Sequence, residues 1–422
     1  MKKIVGLILL VFLSFSVRAS HIMGGEITWE CIKDPLSPDV GKYIFTMKLY
    51  RDCDGITLPV TQQTLNVWNH PSVTTINLLF ISNTDISPDC NTTNSGNQPL
   101  DCSTNPVGAV EEYIYQSLPI ALVGAPPISN PPTPTTHGWH FTWDSCCRNS
   151  AIVNLASPSS DGFTMRASMF AYVDPVGNPT PTDPCFDSSP IFNESPKTII
   201  CTGYPFSYTH NASDSEMDSL VYNWDEPLDD FFGVFDPPVT PALLNYTPPY
   251  TANNPLPGNP TIDQQNGQIS YTSSTSGNFV TVVRVDAYKC NQLVAQIYRE
   301  IQAVLINCPP LAGGNTNLPP TIPAPFPAPT PYYTSVAAGT VVSFNVRAND
   351  NDLYAGGVPQ DVFLEITGGQ MANDFITNTD CASPPCATFT DNNGNAPPFS
   401  SPSVVNGIFE WETACTHIAT DA

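Results

Sequence analysis

The stretch NFVTVVRVDAYKCNQLVAQIYREIQAVLI, residues 278–306, decides the fold class. β-Branched and aromatic residues fill both halves, and the polar Lys289, Cys290, Asn291 and Gln292 interrupt them, so two long strands joined by a hairpin turn are expected. No apolar period of 3.6 residues competes with that reading. Upstream, KTIICTG, FSYTHNA, SLVYNW and GQISYTS repeat the pattern at shorter length between residues 197 and 273. About seven short strands in about 120 residues predict an immunoglobulin-like β-sandwich over 184–308.

The same grammar extends to the N-terminal side. EITWEC, KYIFTMKLY, TLNVW, TINLLF, EEYIYQSL, HGWHFTWDSCC and FTMRASMFAYV are separated by Pro, Asn, Asp and Gly clusters. They predict a separate β-sandwich over 20–183, with the Pro-rich 124–136 as an exposed loop. Residues 309–331 read as a Pro-rich, extended linker. Residues 332–422 repeat the second unit: Tyr208 precedes Asp214 by six positions as Phe344 precedes Asp350, and NGQISY at 266 is matched by NGIFEW at 406. The match leaves the third unit about two strands short, so the expected class is all-β, with tandem sandwiches, the second and third immunoglobulin- or cadherin-like and the third incomplete.

The chain has 422 residues, of which 12% are charged, and 38 acids against 14 bases give a net charge of -24. That balance argues against nucleic acid as a partner, since phosphate binding needs a basic face. Lys2 and Lys3, the apolar run Ile4–Phe15 and Val17-Arg18-Ala19 predict a signal peptide over 1–19 and hence an extracellular or outer-surface destination. No later stretch is long and apolar enough for a membrane-spanning helix.

Thirteen cysteines in an exported chain predict a disulfide framework. With 184–308 taken as an isolated sandwich, strand direction places Cys201 by Cys308 and Cys185 by Cys290, since a strand separates Cys290 from Cys308. Cys381 and Cys386 can close a local loop, leaving Cys415 over. Cys146 and Cys147, read as strand neighbours on opposite faces, are each expected to bond a different partner, with Arg148 as an internal ion-pair residue.

The functional candidates are acidic. HNASDSEMDSLVYNW, 210–224, sets Asp214, Glu216 and Asp218 at alternate positions of a turn, and VRANDNDLYAGG, 346–357, repeats this with Asp350 and Asp352. Alternating carboxylates in a turn can converge on calcium, which takes six to eight oxygen ligands, and Asp225, Glu226, Asp229 and Asp230 stand close by in sequence. The opposing reading is a solvated polar turn. His137 and His140, three apart on a strand, fall on opposite faces and cannot share a metal. His21 reads as an ordinary residue at the start of a strand. No nucleophile elbow, HExxH helix, phosphate loop or zinc-type cysteine pair is present.

SHIMGGEITWEC at 20–31, MKLYRDC at 47–53, CCRN at 146–149, Asp187 with the SSPIFNE that follows it at 188–194, YTHNASDSEMDSLVY at 208–222 and YREIQAVLINC at 298–308 together resemble the amino-terminal region of large exported surface proteins of gliding Gram-negative bacteria. Longer members of that group end in a gliding-motility-associated type IX secretion sorting domain. The resemblance implies an adhesin-like surface protein of tandem β-sandwich modules with no assigned catalysis. The expected function is structural and adhesive, with calcium-stiffened repeats and a glycan- or protein-binding face built from exposed Tyr and Trp of the first domain. The alternative is an extracellular polysaccharide-active enzyme with accessory modules.

Overall fold

The computed structural model describes residues 22–87, 100–106, 108–174, 176–180, 185, 187–196, 198–307, 320–327, 334–354, 357–381 and 383–417. The expected signal peptide, Cys308 and most of the Pro-rich segment lie outside the described residues. Apart from one helical turn at Cys415–His417, every described element is a strand, so the all-β class holds.

The first seven strands are β1 (Ile22–Cys31), β2 (Tyr43–Asp52), β3 (Gln63–Trp68), β4 (Thr75–Asp85), β5 (Val110–Ser117), β6 (Trp139–Ser145) and β7 (Phe163–Met169). Nine more follow: β8 (Ile191–Phe192), β9 (Ile199–Cys201), β10 (Pro205–Thr209), β11 (Ala212–Ser213), β12 (Ser219–Trp224), β13 (Thr261–Ile262), β14 (Gln268–Thr272), β15 (Gly277–Lys289) and β16 (Gln292–Ile306). Hydrogen-bonded neighbours run β1-β2-β5-β4-β3-β6-β7-β16-β15-β12 in one sheet, while β10-β14-β13 forms a second.

The 278–306 hairpin is present as β15 and β16, but it does more than close its own unit. β15 covers one edge of β16 along its length. The other edge is shared in order by β7 at Ala295–Ile297, β1 at Arg299–Ile301 and β9 at Val304–Ile306. Gly24 and Gly25 make the β1 contact possible: a Cβ on Gly24 would collide with the Glu300 carbonyl, and one on Gly25 with the Met165 sulfur and the Lys48 carbonyl.

The boundary expected at 183/184 is therefore not a domain boundary. One core joins Trp29, Phe45, Phe141 and Met165 to Tyr222, Ile269, Tyr271, Phe279 and Val285. A strap around residues 225–246 also crosses from the later half onto the outer face of the earlier one. Arg148 donates to the Leu228 carbonyl at 3.1 Å, the Thr164 hydroxyl donates to the Asp229 carbonyl at 2.5 Å, and Phe235 packs on His140. Covered on both sides, β7 is buried at all seven positions. Period-2 reading fails where both faces are dry.

Three expectations are corrected by this interleaving. Cys185 bonds Cys31 rather than Cys290, because the segment before β8 runs beside β1, where the Ser189 N–H donates to the Trp29 carbonyl, the Ser189 hydroxyl accepts the Trp29 N–H and the Ser188 hydroxyl accepts the Cys31 N–H. Cys290 keeps its thiol, hydrogen-bonded to Tyr172. Cys146 and Cys147 bond each other: β6 ends at Ser145 and Cys147 adopts a φ of 76°, so the pair leaves the strand and its alternation. Trp29, Trp139, Tyr43, Tyr50, Tyr113 and Tyr115 are buried in the core, so they offer no binding face. Cys53 and Cys102 form a further disulfide.

Cys201 is disulfide-bonded and lies opposite Ile306, while the pairing with Cys308 falls outside the described residues.

The third unit holds β17 (Val341–Asn349), β18 (Leu353–Tyr354), β19 (Val358–Pro359), β20 (Asp361–Leu364), β21 (Thr388–Thr390), β22 (Phe399–Pro402) and β23 (Val404–Glu412). Sheets β17-β23-β21 and β20-β22 enclose a core of Ala348, Val362, Leu364, Phe389, Phe399 and Val405. Cys381 bonds Cys386. The late part of the Pro-rich segment is not free linker: Thr321 pairs with Asn349 and Phe326 packs on Phe344.

If β16 supplies the edge on which β7 and β1 close, residues 20–183 expressed alone will not melt cooperatively, whereas residues 20–308 will. A cooperative calorimetric transition for the 20–183 fragment would restore the boundary at 183.

Candidate functional site

The acidic turn lies between β11 and β12. Asp214 Oδ1 accepts the backbone N–H groups of Glu216, at 2.9 Å, and Asp218, at 3.1 Å, and Met217 takes a φ of 60°, which turns the chain back into β12. Sequence spacing alone made these three acids look equivalent. They are not, because different partners meet each one.

Glu216 is ion-paired with Lys33 and accepts hydrogen bonds from the hydroxyls of Ser188, at 3.1 Å, and Ser215, at 2.7 Å. Burial pushes its carboxyl up, but Lys33 and these hydrogen bonds outweigh it and hold the group below its usual range. Asp218 Oδ1 lies 2.8 Å from Lys289 Nζ, and Asp187 Oδ1 lies 3.0 Å from the same nitrogen. Asp187 is only 2% exposed, and burial, with Asp218, Glu216 and Asp214 adding to it, drives its carboxyl well above the usual range despite Lys289. Asp214 is pushed up to about 7, first by burial and then by Glu216. Asp187 Oδ2, Asp214 Oδ2 and Asp218 Oδ2 are buried without a hydrogen-bond partner.

Sequence reasoning missed Asp187, Lys33 and Lys289. Asp187 had a signal, as the residue that heads the SSPIFNE motif, but nothing local assigns it a role; only the run of that segment beside β1 brings it to the turn. Asp225 is ion-paired with Arg166 and Arg284, and Asp229 accepts from the Gly162 and Asp230 backbones, so neither joins the cluster.

The second copy repeats the Asx turn. Asp350 is buried, accepts the Asp352 N–H at 2.8 Å and donates its own N–H to the Ser403 carbonyl at 2.7 Å. The repeat extends to strand register. Tyr208 faces Ile269 across β10 and β14, and Phe344 faces Phe409 across β17 and β23. Gly267 and Gly407 each lie under an aromatic ring, Tyr222 and Phe389.

Among the described residues the one closely gathered set of three potential metal ligands is Cys53, Cys102 and Glu111, and its cysteines are already disulfide-bonded. His140 bonds Ser168 at 2.8 Å and His137 accepts from the Ser129 N–H at 3.2 Å, so each is used separately.

Several other charged residues of the quoted motifs, Glu26, Arg51, Arg148, Arg299 and Glu300, are internal. Arg299, fully buried, is paired with Glu26, donates to the Glu194 carbonyl at 2.7 Å and stacks on Phe192 at 4.1 Å. Arg148 is paired with Glu300. Arg51 meets Glu111 at 2.5 Å. These contacts can hold strands; none presents a reacting group to solvent.

No family model matches the chain, and no curated protein matches it. Among solved structures, the crystal structure of the N-terminal four Ig domains of Dscam1 isoform 4.44 is similar at 11% identity over 92% of this chain and 84% of that one, with a TM-score of 0.15, a value that supports no argument about fold or function.

Replacing Arg299 by Met strands a buried Glu26 carboxylate and should cost about 3–5 kcal/mol in denaturant unfolding, whereas Glu26→Gln with Arg299→Met should recover much of it. A smaller loss for the single than for the double variant would show that the pair does not brace the strands.

Buried histidines lower stability toward acid pH, against the opposite contribution of the raised Asp187 and Asp214 carboxyls. Burial lowers His140 to about 4 and His210 well below its usual value, so the unfolded chain binds protons that the folded chain refuses. Their contribution is complete above about pH 6.5 and is lost as pH falls toward 4. Relative to the wild type, His210→Phe should gain melting temperature as pH falls across that window; an unchanged difference between the two would remove His210 as a source.

Proposed function

We propose that the protein is an exported, cell-surface structural and adhesion protein whose disulfide-linked body presents a ligand-binding surface to extracellular glycan or protein. The observation that carries this reading is the fate of the shared motifs: Glu26, Arg148, Asp187, Arg299 and Glu300 are buried against one another or against lysine, so their chemistry is directed inward, to rigidity. Disulfides Cys31–Cys185, Cys53–Cys102 and Cys381–Cys386 fit folding in an oxidising compartment. No described helix is long and apolar enough to cross a membrane. The motif resemblance to exported proteins of gliding bacteria supports a surface location and the type IX route.

Apolar side chains of the strap reach solvent, with Phe232 at 96% and Val239 at 76% exposure. Fixed at its base by Arg148, Gly162 and Thr164, it offers a preorganised contact.

The test is a glycan and extracellular-protein array probed with the mature chain, followed by a reducing-sugar assay on every glycan hit. Saturable binding without turnover is the expected result. Release of reducing ends would instead make the protein a polysaccharide-active enzyme, and an array without hits would leave the adhesion reading unsupported.

A further inference from the structure

We propose that the Cys146–Cys147 disulfide is a redox switch for the strap: closed, it holds the backbone kink that aims Arg148 at the strap, and its opening by an external dithiol loosens the strap without unfolding the body. Two cysteines adjacent in sequence are bonded where β6 ends. Ser145 is still paired with Phe163 of β7, but the next backbone contact, the Arg148 N–H on the Asp161 carbonyl at 3.1 Å, has taken up one extra residue on the β6 side. Cys146 and Cys147 form that bulge. Cys147 stands at φ 76°, a left-handed conformation that a residue with a Cβ rarely keeps without support, and the bond to its neighbour is that support.

The bulge positions Arg148, the next residue. Its Nε donates to the Gly162 carbonyl at 2.6 Å and its Nη2 to the Leu228 carbonyl at 3.1 Å, while the guanidinium is paired with Glu300 and lies 5.0 Å from the centre of the Phe163 ring. Leu228 is bridged to Leu243, and Asp229 beside it accepts the Gly162 N–H, so the base of the strap converges on one side chain. If the bulge relaxes, the long side chain follows Glu300, its charged partner, and gives up the neutral Leu228 carbonyl.

Exposure and loop length set this bond apart. Cys146 is exposed, whereas Cys31, Cys53, Cys185 and Cys386 are buried, and an attacking thiolate must reach sulfur. Cys31–Cys185 and Cys53–Cys102 close loops of 154 and 49 residues, but a bond between neighbours constrains almost nothing of the unfolded chain. Opening it therefore acts locally, on the folded state. One thiolate of the dithiol attacks the Cys146 sulfur, the disulfide breaks, and its electron pair leaves on the Cys147 sulfur, which takes a proton. The second thiolate of the reductant then attacks the mixed disulfide, releasing Cys146 as a thiol and the dithiol as its own disulfide. Two electrons and two protons pass to the protein.

The experiment is amide hydrogen exchange of the full mature chain, its free thiols first alkylated, across a titration with dithiothreitol. Cys146 and Cys147 should accept a second alkylating label before Cys31, Cys53 or Cys185. Exchange at Gly162, Asp229 and Leu244, whose N–H groups hold the base of the strap, should then rise about tenfold while β15 and β16 stay protected. Cys146→Ser combined with Cys147→Ser should exchange like the reduced wild type with no reductant present. Labelling of the pair with unchanged strap exchange would overturn the proposal, as would a pair that opens only together with the long-range disulfides or a double variant that exchanges like the oxidised chain. No glycan or protein ligand enters the measurement, so its failure leaves the adhesion reading standing.

Discussion

The body depends on one strand having two fully used edges. β16 is paired with β15 on one side and with β7, β1 and β9 in succession on the other, so the last long strand of the body closes the first. An edge strand exposes unpaired N–H and C=O groups, and a chain that buries such an edge must find partners for all of them. Here the partners come from residues 24–26, 167–169 and 199–201, which are far apart in sequence. Folding of either half is thereby tied to the other.

This explains what sequence made legible and what it hid. Strand identity was readable wherever the chain states its chemistry locally: the β15–β16 hairpin from its β-branched content, the repeat from an aromatic six residues before an Asp and from Asn-Gly at matched spacing. Partner choice was not, because strand pairing is a non-local property. Cys185 illustrates the point. Within 184–308 alone, the hairpin turn is a reasonable partner, but Ser188 and Ser189 pair with the Cys31 and Trp29 backbones and carry Cys185 to Cys31. Cys146 and Cys147 show the opposite limit: alternation is a rule for strands, and it lapses one residue past the end of β6.

The candidate site was half legible for the same reason. The turn chemistry of Asp214 was visible, and the same Asx geometry recurs at Asp350, so local rules suffice for both. Distinguishing the two copies needs Asp187, Lys33 and Lys289, supplied by the body in the first case. The first turn thus takes its electrostatics from what the fold packs against it.

Register supplies the last step. Arg299 and Glu300 are consecutive on β16, so their side chains leave it on opposite faces, Arg299 to Glu26 and Glu300 to Arg148. In the β1–β16 ladder Glu26 is directly opposite Arg299, and the glycine Gly25 is opposite Glu300. A slip of one residue in one direction sets Glu26 against Glu300, two carboxylates in a dry interior, and reverses the faces of every apolar neighbour. Buried ion pairs add little to stability compared with apolar contacts of the same volume, yet an unpaired buried charge is costly. Their effect is therefore asymmetric: the correct register gains modestly, and the wrong one is penalised on both faces of the strand at once. A strand that must accept β7, β1 and β9 along one edge needs that discrimination, because Arg299–Ala303 is buried on both faces without a break, and alternation there distinguishes neighbouring registers poorly.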